Sequence, residues 1–121
     1  MKLKEIQRIL QAEVIWGSEE QLEIDIEYGG ASDLMSDVLA FGKPGTLLLT
    51  GLTNVQSVRT ADIIEAKAIV YVRGKKPDLE SLELAMEKGI PILSTTLMMY
   101  IACGILFQHG LAGIADVQEK K

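Results

Sequence analysis

The chain has 121 residues, of which 48% are hydrophobic and 24% are charged, so it can bury one core but is too short for two domains. Twelve Lys and Arg against seventeen Asp and Glu give a net charge of −5, which argues against binding to a nucleic-acid backbone. One Cys and one His exclude an internal disulfide and the metal sites built from several cysteines or two histidines.

The N-terminal part is predicted to contain one helix and two strands. Hydrophobic residues at helical spacing predict an amphipathic helix over residues 3–10. Residues 13–16 predict a short strand, which Gly17 ends. Over residues 22–26, apolar side chains alternate with acidic ones, and this period of two is typical of a strand with one exposed face.

A turn and a helix are expected next. Gly29 and Gly30 are expected to turn the chain, because glycine adopts the backbone angles that tight turns require. Ser32 or Asp33 can then cap a helix that runs to about Phe41, since short oxygen-bearing side chains accept hydrogen bonds from the free N–H groups of a first turn.

The second half alternates apolar strands with helices. Strands are predicted over residues 46–50, 67–72 and 90–93, and helices from residue 53 or 54 to 65, over 79–88, and from residue 95 or 96 to about 109. Asp78 can cap the second of these helices, and Gly89 is well placed to end it. The alternation predicts an α/β fold: a small, mostly parallel sheet with helices on both faces and an edge element from the N-terminal part.

The last predicted helix is apolar around its whole circumference over residues 97–107. Such a helix must be covered on all sides, and the sheet covers only one. We therefore expect a homodimer or contact with a larger partner, such as an enzyme. The alternative is that residues 111–117 fold back over the helix. The run is far shorter than the ~20 residues of a membrane span and no signal core is visible, so a cytoplasmic protein with a reduced Cys103 is expected.

Loops that leave the carboxyl ends of parallel strands are the usual place for a ligand in such folds. The candidate ligand-binding residues in these loops are Ser32, Asp33, Thr53, Asn54, Arg73, Gly74, Ser94 and Thr95. Helix N-termini offer free N–H groups and a partial positive charge, and Arg73 adds a cation. The expected ligand is therefore an anionic small molecule. The alternative is that these side chains only cap helices. Neither of the common glycine-rich phosphate-binding patterns is present.

Catalytic chemistry is the least favoured interpretation. Asp33 and Asp37 would share a face of the predicted helix and are a conceivable Mg²⁺ pair for a phosphatase. Acidic side chains in a first turn are better explained by the helix dipole. His109 and Cys103 have no neighbouring residues of the kinds that activate a catalytic nucleophile. We predict no catalytic residues, no metal and no cofactor.

Three segments resemble the DRTGG domain family: residues 28–38, residues 68–78 and residues 89–95. The resemblance covers roughly residues 2–108. It implies an α/β fold similar to the N-terminal domain of HPr kinase/phosphatase, and a single domain over residues 1–110 followed by a tail over residues 111–121.

The resemblance also implies a role. Members of the family are accessory domains of long-form phosphotransacetylases and, beside CBS domains, of regulated pyrophosphatases. Stand-alone copies also exist, some encoded near components of iron-only hydrogenases. The role is regulatory or connected with assembly, and no catalytic residues are known for it. These properties imply a non-catalytic regulatory or scaffold domain, with a sensor for a nucleotide or another phosphate-bearing metabolite as the alternative.

The residues that give the family its name are largely missing. The Asp-Arg-Thr of long-form members should fall at residues 53–55, which are Thr, Asn and Val, and the Gly-Gly at Arg73 and Gly74. Only Gly74 matches. A contact that those residues make in other members is therefore in doubt here, and residues 50–54 look like the stand-alone subgroup.

Overall fold

The chain folds into a mixed five-stranded sheet covered by helices on both faces, as a computed structural model shows for residues 1–114. The strands are β1 (Glu13–Trp16), β2 (Tyr28–Ala31), β3 (Thr46–Thr50), β4 (Ala68–Tyr71) and β5 (Ile92–Ser94). The helices are α1 (Leu3–Leu10), α2 (Glu19–Leu22), α3 (Met35–Phe41), α4 (Val55–Ile63), α5 (Leu79–Lys88) and α6 (Met99–Gln108). The strand order is β1-β5-β4-β3-β2, with β1 antiparallel to β5 and the rest parallel. The predicted α/β fold is confirmed.

The two faces of the sheet carry separate hydrophobic cores. Because successive side chains of a strand point to opposite faces, Leu47 and Leu49 enter one core and Leu48 enters the other. The first core is closed by α1 and α6, and the second by α3, α4 and α5. Since β2 to β5 follow one another across the sheet, right-handed crossovers place the three connecting helices on one face.

The predicted ends of the central helices are confirmed. The Asn54 side chain accepts a hydrogen bond from the N–H of Gln56 (3.1 Å), and α4 begins there. Asp78 accepts one from the N–H of Ser81 (2.8 Å) at the start of α5. Hydrogen bonds from the side chain and then the backbone of Ser81 lower the pKa of Asp78. Gly89 ends α5 in the left-handed conformation, with a φ of 72°.

The strand predicted over residues 22–26 is wrong. Ser18 and Gln21 cap each other and begin α2, so Leu22 is the last residue of a helix. The segment that follows is extended, but it pairs with the N-terminus of the chain and not with the sheet. The N–H of Leu3 donates to the carbonyl of Ile24 (3.0 Å), and that of Ile26 donates to the carbonyl of Met1 (2.7 Å). Extended backbone gives the same alternation of exposed and buried side chains wherever it pairs.

The turn predicted at Gly29 and Gly30 is also wrong, because both residues lie inside β2. Side chains that follow α6 occupy the space where theirs would lie. A Cβ at Gly30 would stand 2.7 Å from Cδ1 of Ile114, and one at Gly29 would stand 3.2 Å from Cδ2 of Leu111. The N–H of Gly29 also donates to the carbonyl of Ala112 (2.8 Å). The chain after α6 therefore runs along the outer edge of β2.

The last helix begins at Met99, with Met98 as its N-cap, and not at Thr95 or Thr96. Thr95 is buried, and its hydroxyl donates to the carbonyl of Leu10 (2.9 Å). Its N–H donates to the carbonyl of Tyr71 at the end of β4 (2.9 Å), so it continues the pairing of β5 with β4. Over residues 1–114, no helix is long and apolar enough to cross a membrane. Of the predicted tail over 111–121, residues 115–121 lie outside the described part of the chain.

Candidate functional site

Asp33 joins the carboxyl ends of two strands. Its Oδ1 accepts hydrogen bonds from the N–H of Gly51 (2.6 Å) and from the hydroxyl of Thr50 (3.2 Å), both at the end of β3. The predicted capping of α3 by Ser32 or Asp33 is wrong: Leu34 is the N-cap, with no side-chain hydrogen bond. Ser32 accepts from the N–H of Leu34 (3.0 Å), before the helix begins. Because its carboxylate accepts from the N–H of Gly51 at the end of β3, Asp33 does not cap α3.

Arg73 completes this group from the end of β4. It has a left-handed backbone, with a φ of 61°, and its guanidinium lies over Gly51, where a Cβ would stand 2.6 Å from Nη2. Nη1 is 3.7 Å from Oδ2 of Asp33. Both side chains remain partly exposed, so this ion pair contributes at most about 1 kcal/mol. We call Asp33, Thr50, Gly51 and Arg73 the rim cluster.

Thr53 and Asn54 lie in the loop after β3, between the rim cluster and α4. The carbonyl of Thr53 accepts a hydrogen bond from the hydroxyl of Ser81 (3.1 Å), which ties this loop to α5. The side chain of Asn54 is exposed but already accepts from the first turn of α4. The loop is therefore fixed in position, and the amide of Asn54 is engaged as a cap.

Ser94, Thr95 and Gly74 do not form a cleft. Ser94 is buried, and its hydroxyl donates to the carbonyl of Lys75 (2.6 Å). The N–H of Gly74 donates to the carbonyl of Thr95 (2.8 Å), and that of Arg73 donates to the carbonyl of Leu97 (2.8 Å). The connections after β4 and β5 part here toward opposite faces, which is where such folds often open a crevice. Here the two loops are joined by direct backbone hydrogen bonds, so no crevice opens between them.

A buried hydroxyl pair lies beneath the start of α4. The Tyr71 hydroxyl is 2.7 Å from Oγ of Ser57, whose own proton goes to the carbonyl of Asn54 (2.8 Å). Tyr71 is therefore the donor in the pair, and burial raises its pKa. Sequence reasoning missed this pair. Its one signal was a lone tyrosine at the end of an otherwise aliphatic strand.

The predicted Asp33 and Asp37 pair does not share a helical face. Asp33 precedes α3 and points at Gly51, whereas Asp37 lies in the first turn of α3. Within residues 1–114, no three His, Cys, Asp or Glu side chains are grouped as metal ligands would be. The geometry thus removes the basis of the Mg²⁺ interpretation.

The second candidate site is the side of α6 that faces away from the sheet. Ala102 and Leu106 are buried against the sheet. Tyr100 and Phe107 are 86% and 71% exposed, and Met98 and Ile101 are about half exposed. We call Met98, Tyr100, Ile101, Gly104 and Phe107 the outer face of α6. It carries no charged side chain.

An open groove of about 590 Å³ runs beside this helix. One wall is α6, and the floor and the other wall come from β2 and from the segment after α6, with Gly29, Gly30 and Leu111 among the residues that line it. Cys103 also lines the groove, and burial raises the pKa of its thiol, so the thiol stays protonated. The apolar groove and the exposed apolar helix face lie side by side.

The fold has a solved counterpart. It is similar to the crystal structure of the CBS and DRTGG domains of the regulatory region of Clostridium perfringens pyrophosphatase, which contains the activator diadenosine tetraphosphate. The TM-score is 0.68 at 17% identity over 88% of this chain. The match takes in 46% of that structure, so this chain spans about half its length. No protein-family model and no curated protein matches the sequence. The similarity therefore establishes the fold.

Proposed function

We propose that this protein is a non-catalytic, cytoplasmic regulatory or scaffold domain that acts through homodimerisation or by docking to a metabolic enzyme. The observation that carries the proposal is the outer face of α6, a contiguous helical surface with two exposed aromatic side chains and no charge. An exposed apolar surface of this kind marks an interaction site in a folded protein. The solved counterpart, which belongs to a regulatory region, supports the regulatory role.

Sedimentation velocity tests the proposal. The wild-type chain is expected to form a dimer, and Phe107→Glu is expected to be monomeric because it places a charge within the apolar contact. Leu79→Glu is the matched control, since Leu79 is 70% exposed but lies on α5, on the other face of the sheet. A dimer that survives Phe107→Glu, or one that Leu79→Glu also breaks, would contradict the assignment of this face.

Docking to an enzyme gives a different outcome with the same variants. A chain that stays monomeric at all concentrations excludes homodimerisation. Binding to a co-purified enzyme should then be lost in Phe107→Glu and kept in Leu79→Glu. If neither variant changes any association, the outer face of α6 has no role in binding.

The second proposed function is a sensor for a nucleotide or another phosphate-bearing metabolite at the rim cluster. It is supported by Arg73, whose guanidinium lies at the carboxyl edge of the sheet over Gly51, in the loop that leads to α4. The solved counterpart was crystallised with a dinucleotide activator. Ser32, Asp33, Thr53, Asn54, Arg73, Gly74, Ser94 and Thr95 stay a predicted ligand set. The engaged hydroxyls of Ser94 and Thr95 make them the weakest members.

A thermal-shift screen with nucleotides and phosphorylated metabolites tests the sensor. A ligand at 100 times its dissociation constant stabilises the folded chain by about 2.7 kcal/mol. The shift should disappear in Arg73→Ala and persist in Lys75→Ala, which removes a neighbouring exposed cation. The absence of any shift would leave the rim cluster as a purely structural contact.

Membership of the DRTGG family belongs to the same proposal. The shared fold and the three resembling segments support it. The division into a domain over residues 1–110 and a tail over residues 111–121 stays a prediction.

A further inference from the structure

We propose that the outer face of α6 binds the same face of a second copy of this chain, and that the two α6 helices cross at Gly104 on a two-fold axis. This inference rests on the proposed homodimerisation and specifies its geometry. It makes Gly104 the contact point and places Tyr100 and Phe107 of each copy against the groove of the other.

Helical geometry places Gly104 at the centre of the exposed surface. At about 100° per residue, Tyr100 and Phe107 lie on one side of Gly104, and Ile101 lies on the other. The opposite side of the helix carries Ala102 and Leu106, which are buried against the sheet. Gln108, which is exposed, lies about 40° from Gly104 on the side of Ile101. Gly104, the smallest residue of α6, therefore lies in the middle of an exposed arc that is uncharged and mostly apolar.

Within residues 1–114, no contact requires a glycine at position 104. A Cβ on Gly104 would have nothing within 4 Å among the described residues. Glycine within a helix costs about 1 kcal/mol relative to alanine, so the isolated chain would be more stable with a side chain there. What a glycine permits is a close approach by another backbone, below the usual helix separation of about 8–10 Å.

The chemistry of the face favours a second copy over a charged partner. The outer face carries no charged residue, although the chain as a whole has a net charge of −5. Electrostatic complementarity therefore selects no partner here. A two-fold contact needs only one patch that fits itself. The ridge of Tyr100 and Phe107 stands beside a groove of about 590 Å³, so a ridge and a recess are both present on one surface.

The size of the surface is also suitable. A stable dimer buries about 800 Å² on each partner. An aromatic side chain buries about 150–250 Å², and Tyr100 and Phe107 are 86% and 71% exposed, so these two residues alone can supply a large part of that area. Met98 and Ile101, together with the groove residues from β2 and from the segment after α6, extend the same patch.

Disulfide cross-linking tests the crossing point. Two cysteines bridge only when their Cα atoms lie about 4.4–6.8 Å apart, which across a two-fold axis requires a contact at that residue. In a Cys103→Ala background, Gly104→Cys should form a covalent dimer under mild oxidation. Glu83→Cys, exposed on α5, is the matched control in the same background and should stay monomeric.

A second variant covers the case in which a side chain at the crossing blocks the contact. Gly104→Leu should raise the dimer dissociation constant at least tenfold without lowering the melting temperature of the monomer. A wild-type dimer that neither cross-links through Gly104→Cys nor weakens in Gly104→Leu overturns the crossing and leaves homodimerisation standing. A wild-type chain that is monomeric at all concentrations overturns both. A chain that dimerises only after residues 115–121 are removed shows that its own tail covers the face, and it also overturns the proposal.

Discussion

At the scale of single residues, Asp33 links the carboxyl ends of β2 and β3 through Thr50 and Gly51. The sequence predicts that Asp33 caps the helix that follows it, because an aspartate just before an amphipathic stretch usually has that role. Its actual partners, Thr50 and Gly51, come from the next strand and cannot be identified from the local sequence. Asn54 and Asp78 were predictable because their partners lie within the next three residues.

Replacement of Asp33 should loosen the ends of β2 and β3. Asp33→Ala leaves the N–H of Gly51 without its acceptor and removes the partner of Arg73, so we expect a loss of about 1–2 kcal/mol in unfolding free energy. Asp37→Ala is the control and should change it by less than about 0.5 kcal/mol. Urea denaturation of the three proteins measures this. Equal free energies of unfolding for the three proteins would show that Asp33 makes no net contribution to stability.

Replacing each of two glycines with alanine should change the stability of the chain in opposite directions. A Cβ at Gly42 would stand 2.7 Å from the carbonyl oxygen of Val38 and 2.6 Å from Cδ1 of Ile64, so Gly42→Ala should destabilise the chain by about 2 kcal/mol. Gly104→Ala meets open space in a helix and should raise monomer stability by about 0.5–1 kcal/mol. Thermal unfolding at low protein concentration compares them. The same sign for both would refute the packing described at one of these sites.

The pH dependence of stability should report the cap at Asp78. Hydrogen bonds from Ser81 lower the pKa of Asp78 below its ordinary value of 3.8. A carboxyl group with a lowered folded pKa stabilises the fold above its unfolded pKa and loses that effect as the pH falls through the folded pKa. Asp78→Asn should therefore melt below the wild type at pH 7. The gap should close as the pH falls below 3.8. A gap independent of pH would show that charge has no part in the cap.

At the scale of elements, continuous apolar runs were predictable and the outer edge of the sheet was not. β3 matches its predicted bounds because a fully buried parallel strand consists of apolar residues on both faces. β2 was missed because its glycines are explained by Leu111 and Ile114, which are distant in sequence. The strand predicted over residues 22–26 failed because a period of two identifies extended backbone and not its partner.

The attachment of the chain after α6 to β2 can be measured directly. Leu111 is buried in the core that α1 and α6 close, so Leu111→Ala should lower the free energy of unfolding by about 2–3 kcal/mol. Gln108→Ala, at the exposed end of α6, is the control and should be close to neutral. Chemical denaturation that gives Leu111→Ala wild-type stability would mean that this segment is not attached in solution.

At the scale of the whole molecule, the apolar last helix leaves an exposed apolar surface, and the partner predicted to cover it stays a prediction. The sheet and α1 cover only one side of α6, which the sequence indicated because residues 97–107 lack a polar face. The sequence did not predict which side chains would face outward or that Gly104 would lie among them. That follows from the direction in which α6 crosses the sheet, a tertiary property.

Hydroxyl-radical footprinting of the purified chain at low and high concentration tests whether this face is covered in solution. Met98 and Met86 are an internal pair, since both are methionines and are 58% and 48% exposed, one on the outer face of α6 and one on α5. We predict that oxidation of Met98 and Tyr100 falls severalfold as the concentration rises, while that of Met86 stays constant. Equal oxidation of Met98 and Tyr100 at all concentrations would contradict an association through α6.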